Sequence, residues 1–195
     1  MLAGATVITS MVVATSLHGF PWSDVKVVEL RSYGGLDREL LMQGQWWRLV
    51  TSQLVHVKQA HMVFNVTMLL LLGSFVESAV GSARLIMLWL ISGAAGTYVS
   101  TYTVAPPWNV GTGASQAVLG LAAAAGVAIW RGHSCPKWLR GVLVLTLVGS
   151  FGLDLIFAYY PKPGHVMAFF AGALLGFFGV RRTDDAAHRE PLNLR

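Results

Sequence analysis

Apolar residues fall in six long runs along the chain, each closed by a polar or Gly/Pro-rich break. The runs cover about Leu2–Phe20, Ala60–Ala79, Leu85–Val104, Ala114–Trp130, Trp138–Tyr160 and His165–Val180. A bilayer crossing needs roughly 20 apolar residues in helical form, so the pattern predicts an all-α, polytopic membrane protein with six transmembrane helices. Pro106 and Pro107 stop the third run, with Trp108 expected at the interface beside them. Pro136 lies in a short polar loop, Arg131–Lys137, and Pro161 and Pro163 shape a tight turn before the last run, because proline ends helices and sets turns. The longest break differs in kind. Pro21–Gln45 mixes Asp24, Lys26, Glu29, Arg31, Asp37, Arg38 and Glu39 with Val27, Val28, Leu30, Leu40, Leu41 and Met42, around a Gly34–Gly35 turn signal. That mixture predicts a loop lying in the interface as part of a segment 21–59, with Trp46 and Trp47 as headgroup-level anchors.

Composition agrees with the pattern. The 195 residues are 54% hydrophobic and only 12% charged, about half the charged share of a soluble domain, and no separate soluble domain fits beside the runs. The net charge of +5 is read as loop charge that sets orientation, not as affinity for nucleic acid. With the N-terminus inside, inner segments carry Arg84, then Arg131, Lys137 and Arg140, then Arg181 and Arg182, whereas the short outer turns carry Lys162 alone. This arrangement predicts cytoplasmic termini in a cell (inner) membrane, with residues 183–195 as a polar tail. It also puts His61, Ser115 and His165 toward the outer leaflet. The chain starts apolar and without a basic n-region, which favours a first transmembrane helix over a cleaved signal. The single cysteine, Cys135, allows no internal disulfide.

Polar groups that cannot easily reach water are costly in a membrane helix and are functional candidates. They are His61, Asn65, Glu77, Ser115, Asp154 and His165. His61 and Asn65, four apart, share a helix face and suit either interhelical hydrogen bonding or a shared pocket. Ser115 follows Gly113 and Ala114 at a helix start, among unpaired N–H groups and the positive dipole end. It can be a simple helix cap or a nucleophile whose product is an oxyanion. Ala122 and Gly126 lie on its face; Ala168, Gly172 and Gly176 continue the face headed by His165. Two facing small-residue stripes, headed by a serine and a histidine at one membrane level, would bring a nucleophile to a base. An imidazole titrates near neutrality, as a general base should. A metal is not expected: His56 and His61, five apart, would point to different helix faces, and HExxH and CxxC spacings are lacking. No cofactor is implied.

Three fragments follow one another along the chain: Trp47-Arg48-Leu49-Val50-Thr51 through His56, then His61-Met62-Val63-Phe64-Asn65, then Gly73 to Glu77 and Gly81; Gly113-Ala114-Ser115 with Gly120; and Gly164-His165 with Gly172. Together they resemble the rhomboid family of intramembrane serine proteases, in turn its first loop and second helix, its Gly-x-Ser motif and its sixth-helix histidine motif. The resemblance covers about residues 44–180. It implies a Ser115–His165 dyad without a third carboxylate, and an oxyanion hole from His61, Asn65 and the Ser115 N–H. His56, Gly113, Ala114 and Gln116 would support the site. Arg48 and Glu77 would hold the first loop and the inner part of the bundle. Substrates would be membrane proteins cut near the outer end of a transmembrane segment, with the fifth span and the Tyr159–Gly164 cap as gate. Three positions depart from the pattern: Gln116 and Ala168 replace glycines, and Leu119 replaces an aromatic that packs on the histidine. Gln116 would crowd the oxyanion hole or add a donor to it, and Leu119 would hold the imidazole by aliphatic packing. Asp154 could orient His165, but since the family does without a third acid, pairing with a tyrosine or water is the favoured expectation. A catalytically inactive relative that binds transmembrane clients is the alternative function. A transporter would need paired half-helices or a charged midplane pathway, and neither is seen in the sequence.

Overall fold

The computed structural model describes residues 1–106 and 109–181. The expected interfacial Trp108, the break at Pro107, Arg182 and the polar tail 183–195 lie outside the described residues. Eight α-helices occur among the described residues: α1 (Leu2–His18), α2 (Arg38–Met42), α3 (Arg48–Thr51), α4 (Gln59–Val80), α5 (Ser82–Thr103), α6 (Ser115–Trp130), α7 (Lys137–Ala158) and α8 (Pro163–Gly179). The only sheet-like pairing described is an isolated bridge between Leu36 and Gly111. Three helices, α4, α5 and α7, are long and apolar enough to cross a membrane; α1, α6 and α8 are apolar but shorter.

α6 is the axis of the fold. Nearly all its residues from Ser115 to Ala128 are buried, because alanine and glycine present little bulk and neighbouring backbones can close on them. α4, α5 and α8 pack around it. The α6–α8 seam runs through Gly120 and Ala124. A Cβ on Gly172 would collide with the Gly120 carbonyl, and one on Gly176 would come within 2.9 Å of the Ala124 Cα. This corrects the expected seam on the α6 side. Ala122 and Gly126 do not face α8's glycines; they line an apolar groove with Trp130, Leu143, Leu147 and Phe169. The sequence could not fix this rotation, because α6 is apolar on every side and lipid gives no preference among apolar faces.

α7 stands apart. Its buried residues are Leu139, Thr146, Ser150 and Asp154, a single stripe at helical spacing, while Val144, Leu145, Val148, Leu155, Ile156 and Phe157 are exposed. Such a surface suits lipid.

The segment between α1 and α4 is more ordered than an interfacial loop. It contains α2, α3 and 3-10 turns at Glu29–Tyr33 and Ser52–Leu54. Asp37 caps α2 by accepting from the Leu40 N–H at 3.0 Å. Arg31 holds Asp37 at 2.6 Å and Glu39 at 2.8 Å. The Arg48 guanidinium donates to the carbonyls of Arg31 at 2.6 Å and Gly35 at 2.8 Å, and to Gln45 Oε1 at 2.6 Å. Glu77, exposed in the last turn of α4, accepts from the hydroxyl of Ser82, the first residue of α5, at 2.5 Å and so ties the two helices at their turn.

Candidate active site

Ser115 is the first residue of α6, with Ala114 as N-cap. It is therefore not the capping serine that a helix start allows. Its backbone N–H has no carbonyl four residues back within the helix, and its side chain is free for other work. Gly113 sets the approach. Its φ of +91° is a left-handed conformation that favours glycine, and a Cβ there would meet the His56 ring at 3.3 Å and the His61 ring at 3.6 Å.

His165 lies in the first turn of α8, behind Pro163 and Gly164. A Cβ on Gly164 would come within 2.5 Å of the Gly96 carbonyl, so the start of α8 is pressed against α5. Ser115 Oγ and His165 Nε2 are 3.0 Å apart, and both residues are nearly buried, at 6% and 8% exposure. The Ser115 hydroxyl has a second acceptor, Gln116 Oε1, at 3.3 Å. One proton cannot serve both at once. Gln116 thus reaches the Ser115 hydroxyl itself, while its Cγ abuts Gly96.

Asp154 corrects an expectation. It does not pair with a tyrosine: its Oδ2 meets His165 Nδ1 at 2.6 Å and the Lys162 backbone N–H at 3.0 Å, and Oδ1 faces Lys162 Nζ at 3.5 Å. The imidazole also has an aromatic neighbour, Phe151 of α7, edge-on at a centroid distance of 6.4 Å. The family pattern puts such a ring four residues after the serine, where this chain has the fully buried Leu119. Phe151 and Asp154 sit three apart on α7, so one helix face supplies both. Only Asp154 was signalled in the sequence, as an acid in an apolar run.

His56 is the other residue whose importance exceeded its signal. It lies before α4 and not on it, so the five-residue spacing to His61 says nothing of helix faces. The two rings are in fact 5.7 Å apart and near-perpendicular. Ser10 Oγ donates to the Leu54 carbonyl at 2.9 Å and so accepts from His56 Nδ1 at 3.0 Å. His56 Nε2 then accepts from the Ala114 N–H at 3.3 Å and from Asn65 Nδ2 at 3.1 Å. This network assigns a neutral imidazole. Burial and the neighbouring His61 agree, pushing its pKa down to about 3. His56 thereby joins α1, α4 and the turn that presents Ser115. Asn65 spends one amide proton on His56 and keeps one, while His61, half-buried, stands beside Gly113. Among the described residues no cluster of three metal-ligating side chains occurs.

The Rhomboid domain profile matches residues 43–182. The chain belongs to the rhomboid family. This rhomboid is 29% identical over 152 residues to the rhomboid protease GluP of Bacillus subtilis, covering 75% of this chain and 29% of that protein. It is 31% identical over 153 residues to RHOMBOID-like protein 5 of Arabidopsis thaliana, covering 76% of this chain and 48% of that one. To the rhomboid protease GlpG of Haemophilus influenzae it is 25% identical over 131 residues, 67% of this chain and 68% of that protein. The chain thus spans less than half the length of the first two relatives. Family and apolar helices together make this rhomboid an integral membrane protein.

Proposed function

We propose that this rhomboid is an intramembrane serine endopeptidase that cuts transmembrane proteins near the outer end of a membrane segment. The observation that carries the reading is the 3.0 Å contact between Ser115 Oγ and His165 Nε2, inside hydrogen-bond reach for a nucleophile and its base. In this reading α1, α4, α5, α6, α7 and α8 are six spans of one membrane domain, 1–182. The termini are cytoplasmic and the membrane is the cell membrane.

Ser115 Oγ forms a bond to the scissile carbonyl carbon as its proton passes to His165 Nε2. The carbonyl oxygen takes the electron pair and becomes an oxyanion. The Ser115 N–H, His61 and the remaining amide proton of Asn65 supply donors to that oxyanion. A donor of this kind is worth about 3–4 kcal/mol when preorganised away from bulk water. The imidazolium then protonates the leaving amine as the C–N bond breaks. Water, deprotonated by the same imidazole, releases the acyl group. Gln116 Oε1 holds the hydroxyl in the resting site and must release it for attack.

Helix-destabilised segments with small side chains suit such a site, because a carbonyl inside an intact helix is occupied by its own hydrogen bond. A fluorophosphonate probe tests the reading. Covalent labelling of the full chain in liposomes that is abolished by Ser115→Ala supports a serine hydrolase. Absence of labelling makes the chain a binder of transmembrane clients instead.

A further inference from the structure

We infer that Asp154 is a third member of the site: a positioning residue on α7 that holds His165 in the tautomer able to accept the Ser115 proton. The inference rests on the proposed serine-protease reading and deepens it.

Asp154 is 1% exposed in a helix that otherwise turns apolar side chains outward. A carboxylate so placed is costly unless donors surround it. Three do: His165 Nδ1 at 2.6 Å, the Lys162 N–H at 3.0 Å and Lys162 Nζ at 3.5 Å. The first contact has a chemical consequence. A carboxylate only accepts, so His165 Nδ1 must carry a proton. In the neutral ring Nε2 is then the unprotonated nitrogen, and Nε2 is the atom facing Ser115 Oγ. The opposite tautomer would point an N–H at the hydroxyl and could take no proton from it. When Ser115 gives up its proton, the new charge on the ring lies against Asp154, which keeps its own state and stabilises the imidazolium.

The anchoring is also informative. Asp154 binds both the histidine and the turn that leads into α8, so displacement of the outer end of α7 removes the orienting acid. The other charged or titratable groups facing this pair are Lys162 from the turn and His61 from α4; Ser115 faces it from α6, and α5 presents Gly96 and Ser100 to the start of α8.

The test is the rate constant of fluorophosphonate labelling against pH for the full chain in liposomes, with wild type, Asp154→Asn and Asp154→Ala. The amplitude reports how much protein is folded and the rate constant reports the chemistry. Loss of the carboxylate should slow labelling at neutral pH by at least about tenfold and change the shape of the rate constant's pH profile. Variants with reduced amplitude but unchanged rate constant and pH profile would make Asp154 a packing residue and overturn the inference. Wild type that does not label would overturn the protease reading first. Should the variants fail to fold, nitrogen-15 NMR of histidine-labelled wild type decides. Protonation at Nδ1 of neutral His165 is expected, and protonation at Nε2 would overturn the assignment.

Discussion

The two helices that meet His165 are held in opposite ways. α6 carries Ser115 within a seam where backbones touch: Gly172 against Gly120, Gly176 against Ala124, Gly96 against the start of α8. α7 carries Asp154 and Phe151 on a helix with one buried stripe and long exposed apolar faces. Ser115 is therefore set by close packing, which has few alternative arrangements. Asp154 is set by a few polar contacts on a loosely covered helix.

Substitutions can break this contrast, beginning with the seam. Gly172→Ala puts a methyl against the Gly120 backbone, which cannot rotate away, so a loss of about 3 kcal/mol or more is expected. Thermal unfolding in detergent should show a large fall in Tm, and labelling of Ser115 should disappear with the fold. His56 comes next, since it links α1 and α4 to the Ser115 turn. His56→Ala leaves Ser10, Asn65 and the Ala114 N–H without their buried partner, at an expected cost of about 2–4 kcal/mol.

The same histidine predicts a pH dependence. Its pKa lies near 3 when folded against 6.5 for the unperturbed group. Between those values the unfolded chain binds the proton and the folded chain does not. His56 therefore leaves stability intact above about pH 6.5 and lowers it as pH falls toward 3, by about 1.4 kcal/mol per unit. Unfolding midpoints measured from pH 7 to pH 4 should fall steeply in wild type and more shallowly in His56→Asn. The smallest effect belongs to the open surfaces. Gly126 on α6 and Gly141 on α7 have nothing within 4 Å of a Cβ. Gly126→Ala and Gly141→Ala should stabilise by about 0.5–1 kcal/mol through helix propensity alone, with labelling unchanged.

The helices were legible because long apolar runs are punctuated by proline, glycine and charge. The run about Ala60–Ala79 corresponds to α4, Gln59–Val80, and the run about Ala114–Trp130 to α6, Ser115–Trp130. Ser115 and His165 were legible as polar heads of small-residue stripes, and the stripe on α8 does face its neighbour. The face of α6 was not, because an Ala-rich helix has no polar side to orient it. Nor were the partners of Asp154 and His56. Asp154's partner depends on how far the α7–α8 turn folds back, and His56's on a loop whose path no periodicity reports. The short helices between α1 and α4 were hidden for a related reason: four- and five-residue helices are set by contacts such as Asp37 with Arg31, not by a hydrophobic period.

The most direct test of the central claim is proteolysis itself. Purified full-length chain should be reconstituted in liposomes with a single-span model substrate carrying a Gly/Ala-rich stretch at the outer end of its helix, and the products weighed by mass spectrometry. Wild type is predicted to cut within that stretch while Ser115→Ala and His165→Ala leave the substrate intact. Equal cutting by Ser115→Ala, or no cutting by a wild type that is folded in the same liposomes, would contradict it.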